Sequence, residues 1–192
     1  MGLLTNLTDP KSNIYLIGMS GTGKSMSGRR LADLIGWPFV EMDGVIEDRA
    51  GKSIPRIFEE NGEPFFRNLE SEVLDEIAKR GGRVVSTGGG VPLRYANRKT
   101  MESSGLVILL SASPEILHGR LANSSHKRGR RLRPLLGDEA PIDRLREMLA
   151  EREDVYATAQ ITINTENKSH DQVAALIASK WKTIKPGEEN GQ

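Results

Sequence analysis

Asn13-Ile14-Tyr15-Leu16-Ile17 runs straight into Gly18-Met19-Ser20-Gly21-Thr22-Gly23-Lys24-Ser25, and a helix-like stretch, Lys24 to Ile35, follows at once. The first run, mostly apolar and closed by a glycine, reads as a buried strand. The next eight residues fit a glycine, four free positions, then Gly-Lys-Ser. Glycines at 18, 21 and 23 let the backbone turn tightly and aim its N–H groups inward. With the start of the helix and Lys24 they form a cradle for phosphate oxygens. The Ser25 hydroxyl is placed to ligate Mg2+. A glycine-rich turn without a ligand is the plain alternative, and the strand–loop–helix context disfavours it. The stretch predicts a nucleoside triphosphate site and leaves the reaction open.

Working outward, strand-like runs alternate with helix-like ones. Phe39 to Met42 reads as a short strand, Asp43 to Arg49 as a short helix stopped at Gly51, and Ile54 to Arg80 as helical with a break near Asn61-Gly62. Arg83 to Thr87 is a buried strand ending in Gly88-Gly89-Gly90, and Leu106 to Leu110 is another strand. Pro114 to Ala122 is helical with Ser113 as its cap, 123–138 is a polar, basic loop, and Ile142 to Ala159 is helical. Ile161 to Ile163 is a last strand and Gln172 to Trp181 a last helix. This alternation predicts an α/β fold, a parallel sheet covered on both faces. Ligands in such sheets bind at the carboxyl ends of the strands. The phosphate loop, Asp43 and the triple glycine all fall there, so one crevice should hold them.

At 192 residues the chain is long enough for one domain with a sizeable core, expected over 1–184, with 185–192 as a disordered tail. A net charge of +1 offers no global field for nucleic acid or a membrane surface. There are no cysteines, hence no disulfides and no thiolate-held metal, which fits a reducing cytoplasm. Met1 to Lys11 is too short and polar for a signal peptide, and no apolar run approaches a membrane span. Nothing reads as an obligate apolar interface, so a monomer is expected.

Other residues narrow the reaction. Glu41 and Asp43 lie two apart, so on a strand both carboxylates face one side; one suits support of Mg2+ through water, the other an acceptor hydroxyl. A solvated strand end with a helix cap is the plain alternative. Three glycines at 88–90 permit positive φ angles and close backbone approach to a ligand. Arg67 and Glu70 are one helical turn apart and can pair. His126 to Arg133 is strongly basic but lacks interleaved aromatics, so a lid closing over polyphosphate suits it better than a nucleic-acid patch. Arg144, Arg146 and Arg152 lie on a charged helix, and spacing alone does not say which reaches a ligand. His118, His126 and His170 are scattered without metal-ligand spacing, and no serine sits in a nucleophile elbow.

Taken together, Gly-Met-Ser-Gly-Thr-Gly-Lys-Ser (18–25), Glu-Met-Asp (41–43), Ile-Phe-Glu-Glu-Asn-Gly-Glu (57–63), Phe-Arg-Asn-Leu-Glu (66–70), Gly-Gly-Gly (88–90) and Arg-Pro-Leu-Leu (133–136) resemble the shikimate kinases, from residue 13 to about 182. The phosphate loop alone is not specific to that family; the combination is. The resemblance implies a P-loop kinase fold with a five-stranded parallel sheet, a substrate-binding segment around 43–75 and a lid around 123–137. It implies transfer of the ATP γ-phosphoryl group, with Mg2+, to the 3-hydroxyl of shikimate. ATP would be bound by Gly21, Thr22, Gly23, Lys24, Ser25 and Met26, with Arg120 against the adenine and Arg133 reaching the phosphates from the lid. Asp43 would hold the acceptor hydroxyls. Arg67, Gly88, Gly89, Gly90 and Arg152 would hold the substrate, chiefly its carboxylate, and Glu70 would orient Arg67. Lys24, Asp43 and Arg133 would be catalytic, and Ser25 and Glu41 would serve the metal.

The chain departs from the family pattern in three places. Glu41 stands where the first aspartate of an Asp-x-Asp is common. The stretch from Arg120 to Arg133 is longer and more basic, and the turn at Thr165–Ser169 lacks a proline. Two alternatives stand beside the shikimate reading. One is a kinase of the same fold acting on gluconate or a nucleotide, against which Gly88–Gly90 and Arg133–Leu136 speak. The other is a ligand-binding sensor without turnover, which would be expected to lose Lys24, Asp43 or the lid arginine.

Overall fold

β1 (Asn13–Ile17) is buried at all five positions, as a central strand covered on both faces must be. The computed structural model describes residues 12–127 and 141–184, the side chains of 124–127 excepted. In it β1 pairs in parallel with β3 (Val84–Ser86) on one side and β4 (Gly105–Ser111) on the other. β2 (Phe39–Glu41) adds beside β3, and β5 (Ile161–Asn164) beside β4. The order β2-β3-β1-β4-β5 is the five-stranded parallel sheet the sequence predicts. The chain leaves β1 for β2 on one side and later crosses back to β4 on the other. The loops after β1 and β3 therefore stand at the point where the winding reverses, where open sheets bind their ligands.

Side chains of β1 alternate between two cores. Ile14 and Leu16 join Val84, Leu106 and Ile108 beneath α1 (Lys24–Ile35) and α8 (His170–Ile184). Tyr15 and Ile17 join Val85 and Val107 on the other face. That face is covered by α2 (Met42–Ala50), α3 (Ile54–Ala78), α4 (Tyr95–Ser104), α5 (Pro114–Lys127), α6 (Ile142–Ala150) and α7 (Glu153–Tyr156). Met42, Ile46, Ile57, Leu74 and Leu145 are fully buried there, each worth about 1.5–3 kcal/mol of transfer. α1 starts after Gly23 (φ 93°) and stops at Gly36 (φ 69°), left-handed conformations that favour glycine.

Four elements differ from the sequence expectation. β2 ends at Glu41 and Met42 already opens α2, so Asp43 sits in a helical first turn. The strand argument for pairing Glu41 with Asp43 on one face therefore fails. α5 continues to Lys127 through residues expected to form a loop, because Asn123-Ser124-Ser125 does not break a helix already begun. The helix expected over Ile142–Ala159 is interrupted at Arg152, whose φ of −111° and ψ of 2° are not helical. α4 was not legible at all, since Met101 is its one buried apolar side chain and no periodicity results. The break in α3 is where expected, at Gly62 with φ 78° and ψ 170°. The tail 185–192, Arg133 and most of the predicted lid lie outside the described residues.

Candidate active site

The phosphate loop has the backbone its glycines imply. Gly18, Gly21 and Gly23 all have positive φ, and a Cβ on Gly18 would collide with the Leu110 carbonyl. Thr22 is buried and its hydroxyl donates to the Met19 carbonyl at 2.9 Å. The Lys24 ammonium is folded back over the loop, donating to the Gly18 and Met19 carbonyls at 2.8 and 3.0 Å. No acidic residue occupies the first turn of α1, so its positive end is left for an anion. Met26 is exposed, 41%, on the outside of that turn.

Gly89 faces this loop, where a Cβ would stand 3.7 Å from the Gly18 carbonyl, and Gly88, Gly89 and Gly90 lie against different side chains. None of them has positive φ, so their use is close approach and not the left-handed freedom expected of them. At Gly88 a Cβ would stand 3.0 Å from Asp43 Oδ1 and 3.0 Å from Glu70 Oε1. The Gly89 carbonyl accepts a hydrogen bond from Arg152 Nη1 at 3.3 Å. A Cβ at Gly90 would collide with the Arg67 guanidinium. One backbone stretch thus gathers Asp43 from α2, Glu70 and Arg67 from α3, and Arg152 from the α6–α7 break. The break itself brings Arg152 inward: it is 7% exposed, its Nη1 also lies 3.1 Å from Met19 Sδ, and Arg144 and Arg146 on α6 pair with surface carboxylates instead. Tyr156 packs in the same core; burial pushes its hydroxyl up and Arg152 pulls it back.

Arg67 and Glu70 pair as predicted, with Nη1 donating to Oε2 at 2.5 Å, and both are buried. Burial pushes the Glu70 carboxyl up to about 7, against the opposing pull of Arg67, and the nearby Asp43 charge pushes the same way. Burial also disfavours the Arg67 cation, yet Glu70 and Glu63 overcome it and raise its pKa further. A second acid, Glu63, accepts from Arg67 Nε at 3.1 Å and Nη2 at 2.9 Å.

On the metal side, Glu41 and Leu16 flank Ser86 in register on the sheet, and the Ser86 hydroxyl lies 3.4 Å from the Ser25 hydroxyl. Among the described residues no three His, Cys, Asp or Glu side chains cluster as a metal site. Arg120 binds the Thr165 hydroxyl at 2.9 Å, the Thr165 carbonyl at 2.8 Å and the Gly21 carbonyl at 3.3 Å, tying α5 to the loop after β5 and to the phosphate loop. His170, at the start of α8, sets its ring over Gly23 with Nδ1 3.3 Å from the Ser27 hydroxyl. Sequence reasoning missed Ser86, Glu63 and His170. Glu63 carried a usable signal, four residues before Arg67 on a helix; Ser86 and His170 carried none. A separate concavity of about 460 Å³ is lined by Leu109, Leu149, Tyr156 and Thr162 among others, and it has no cationic side chain for a phosphate.

A phosphate-loop backbone facing two buried arginines, Arg67 and Arg152, across the switch point of a parallel sheet marks a P-loop kinase of small molecules. Comparison with known proteins is more specific. The shikimate kinase family model matches residues 20–182. A shikimate kinase from Sulfurihydrogenibium sp. is 38% identical over 88% of this chain and 98% of its own. The solved shikimate kinase from Acinetobacter baumannii in complex with shikimate superposes with a TM-score of 0.83 at 36% identity, over 92% of this chain and 96% of that one. A gluconokinase from Sinorhizobium meliloti shares the fold alone, with a TM-score of 0.56 at 19% identity over 91% and 95% of the two chains. This chain belongs to the shikimate kinase family.

Proposed function

We propose that the protein transfers the γ-phosphoryl group of ATP to the 3-hydroxyl of shikimate, giving shikimate 3-phosphate and ADP, in the biosynthesis of chorismate and the aromatic amino acids. The observation that carries the reading is the triple glycine, which places Asp43, Arg67 and Arg152 each against its own peptide opposite the phosphate loop. Arg67 and Arg152 hold the acid's carboxylate, which suits the fork geometry of guanidinium groups. Asp43 orients the 3-hydroxyl and takes its proton late. Phosphoryl transfer has a loose transition state, so the protein mostly positions the reactants and neutralises charge. Lys24 leaves the loop carbonyls for the β- and γ-phosphates. Gly21 to Met26 wrap the phosphates, Arg120 lies by the adenine, and Arg133 completes the charge from the lid, which shuts out water.

The oxygens of Ser25, Ser86 and Glu41 fit a hard cation carried in on the nucleotide. Mg2+ keeps most of its waters and needs only one or two protein oxygens, so Ser25 would hold it directly and Glu41 through water. When bound it supplies neutralisation of phosphate charge. The reading includes a monomer working in the cytoplasm on two small anions, with no nucleic-acid or membrane partner. The net charge of +1 supports it, and among the described residues no helix is long and apolar enough to cross a membrane.

Coupled ADP release with Mg-ATP and single acceptors tests the reaction. Fast, saturable release is expected with shikimate, and background release with quinate, gluconate, nucleoside monophosphates or no acceptor. Release with gluconate or a nucleotide and none with shikimate would overturn the assignment. ATP binding without release on any acceptor would leave a sensor.

A further inference from the structure

Arg67 meets two carboxylates, and they are not alike. Glu70 takes Nη1 and has a side chain 2% exposed. Glu63 takes Nε and Nη2 with one oxygen, Oε1, and its side chain is 51% exposed. With Nη1 held by Glu70, the Nε–Nη2 edge is the one left to bind an incoming carboxylate through two parallel bonds, one to each oxygen. Glu63 therefore occupies the remaining two-donor edge of the guanidinium, with a poorer, single-oxygen contact. It also follows directly on Gly62, where the α3 backbone leaves helical geometry.

We propose that Glu63 is a placeholder: it fills the carboxylate-binding edge of Arg67 in the empty site and is displaced into water when the acid substrate arrives. This rests on the assignment of Arg67 to the substrate's carboxylate. Charge requires that something leave. Glu70 and Asp43 already crowd Gly88, and a third carboxylate beside Glu63 and Glu70 would put three anions around one guanidinium. Glu70 is too buried to be released to water; Glu63, half exposed, rehydrates on leaving. Substrate binding is then an exchange of one carboxylate for another. The exchange holds Arg67 aimed before binding. It also selects acceptors, because a ligand without a carboxylate cannot displace Glu63 and gains nothing from Arg67.

The opposite role, a permanent orienter of Arg67, makes the opposite prediction. Equilibrium binding of shikimate and of shikimate methyl ester, with KM values for shikimate and ATP, should be measured for Glu63→Gln, Glu63→Ala and Arg67→Ala. As a placeholder, Glu63→Gln and Glu63→Ala bind shikimate about two- to fivefold more tightly, the range an exposed ion pair spans. Ester affinity and the KM for ATP do not move. Weaker or unchanged shikimate binding in both Glu63 variants overturns the placeholder, as does equal tightening of acid and ester. Arg67→Ala separates the two levels. If it leaves shikimate binding unchanged, the carboxylate role of Arg67 is wrong; if it weakens binding while the Glu63 variants fail to tighten it, only the placeholder is wrong.

Discussion

At Gly90 only a hydrogen atom fits between the backbone and the Arg67 guanidinium. A methyl group there must push Arg67 away, and Arg67 is held by two acids. Gly90→Ala should raise the shikimate KM at least about tenfold, the cost of a lost charged hydrogen bond, and leave the ATP KM near its original value; an unchanged shikimate KM would place Arg67 off the substrate. Glu70 adds a pH dependence. Its carboxyl, raised to about 7 by burial, is protonated in the folded protein while still ionised in the unfolded chain between about pH 4.5 and 7. The fold then binds the extra proton, so Glu70 favours folding at low pH and that contribution is lost as pH rises through this window, at no more than about 1.4 kcal/mol per pH unit. Activity runs the other way. Below about pH 7 Glu70 gains its proton and loosens its hold on Arg67, so the shikimate KM should climb as pH falls. Glu70→Gln should show a high KM throughout and no step near neutrality, which initial rates across a pH series would reveal. The Arg67–Glu70 pair was legible from spacing. The grip of Glu63 and the crowding at Gly88 were not, because they depend on which way side chains turn across a gap between elements.

Among the elements, the breaks matter more than the lengths. α3 leaves helical geometry at Gly62, with φ 78° and ψ 170°, a region nearly closed to residues with a Cβ. Gly62→Ala should cost about 1–3 kcal/mol of stability, read from the urea midpoint, and should disturb shikimate binding more than ATP binding because Glu63 and Arg67 follow on the same helix. A loss confined to ATP binding would separate the break from the proposed shikimate site. This break was visible as Asn61-Gly62. The break at Arg152 was not, since Glu151-Arg152-Glu153-Asp154 holds no glycine or proline. It arises where α6 must stop so that α7 can pack Tyr156 into the core. The β2–α2 junction was misjudged for a similar reason. Met42 is apolar enough for a strand, but its burial in the α2 face decides for helix.

For the whole molecule, the sheet divides structural from chemical duties. One face is sealed by α1 and α8, where Trp37 and Trp181 meet edge to face at 5.0 Å. The other face carries α2 and α3 with Asp43, Arg67 and Glu70. Trp181→Ala should lower stability by about 3–5 kcal/mol, and in the fraction still folded the shikimate KM should stay within about twofold, as expected for distant sites. A large KM change would mean that the two faces are coupled. The alternation of apolar strands and amphipathic helices already dictated the parallel sheet, because a strand apolar at every position can only be covered twice. The loop at 18–25 likewise dictated the phosphate site, since its turn and donors belong to the local backbone. The cluster around Gly88–Gly90 is different in kind. Asp43, Arg67 with Glu70, Gly88–Gly90 and Arg152 come from four separate stretches of chain, and only strand order and helix breaks converge them on one glycine run. Charge, distance and burial at that convergence exist only in the folded chain, so the tertiary structure alone decided that Glu70 titrates near neutrality and that Glu63 occupies the edge of Arg67.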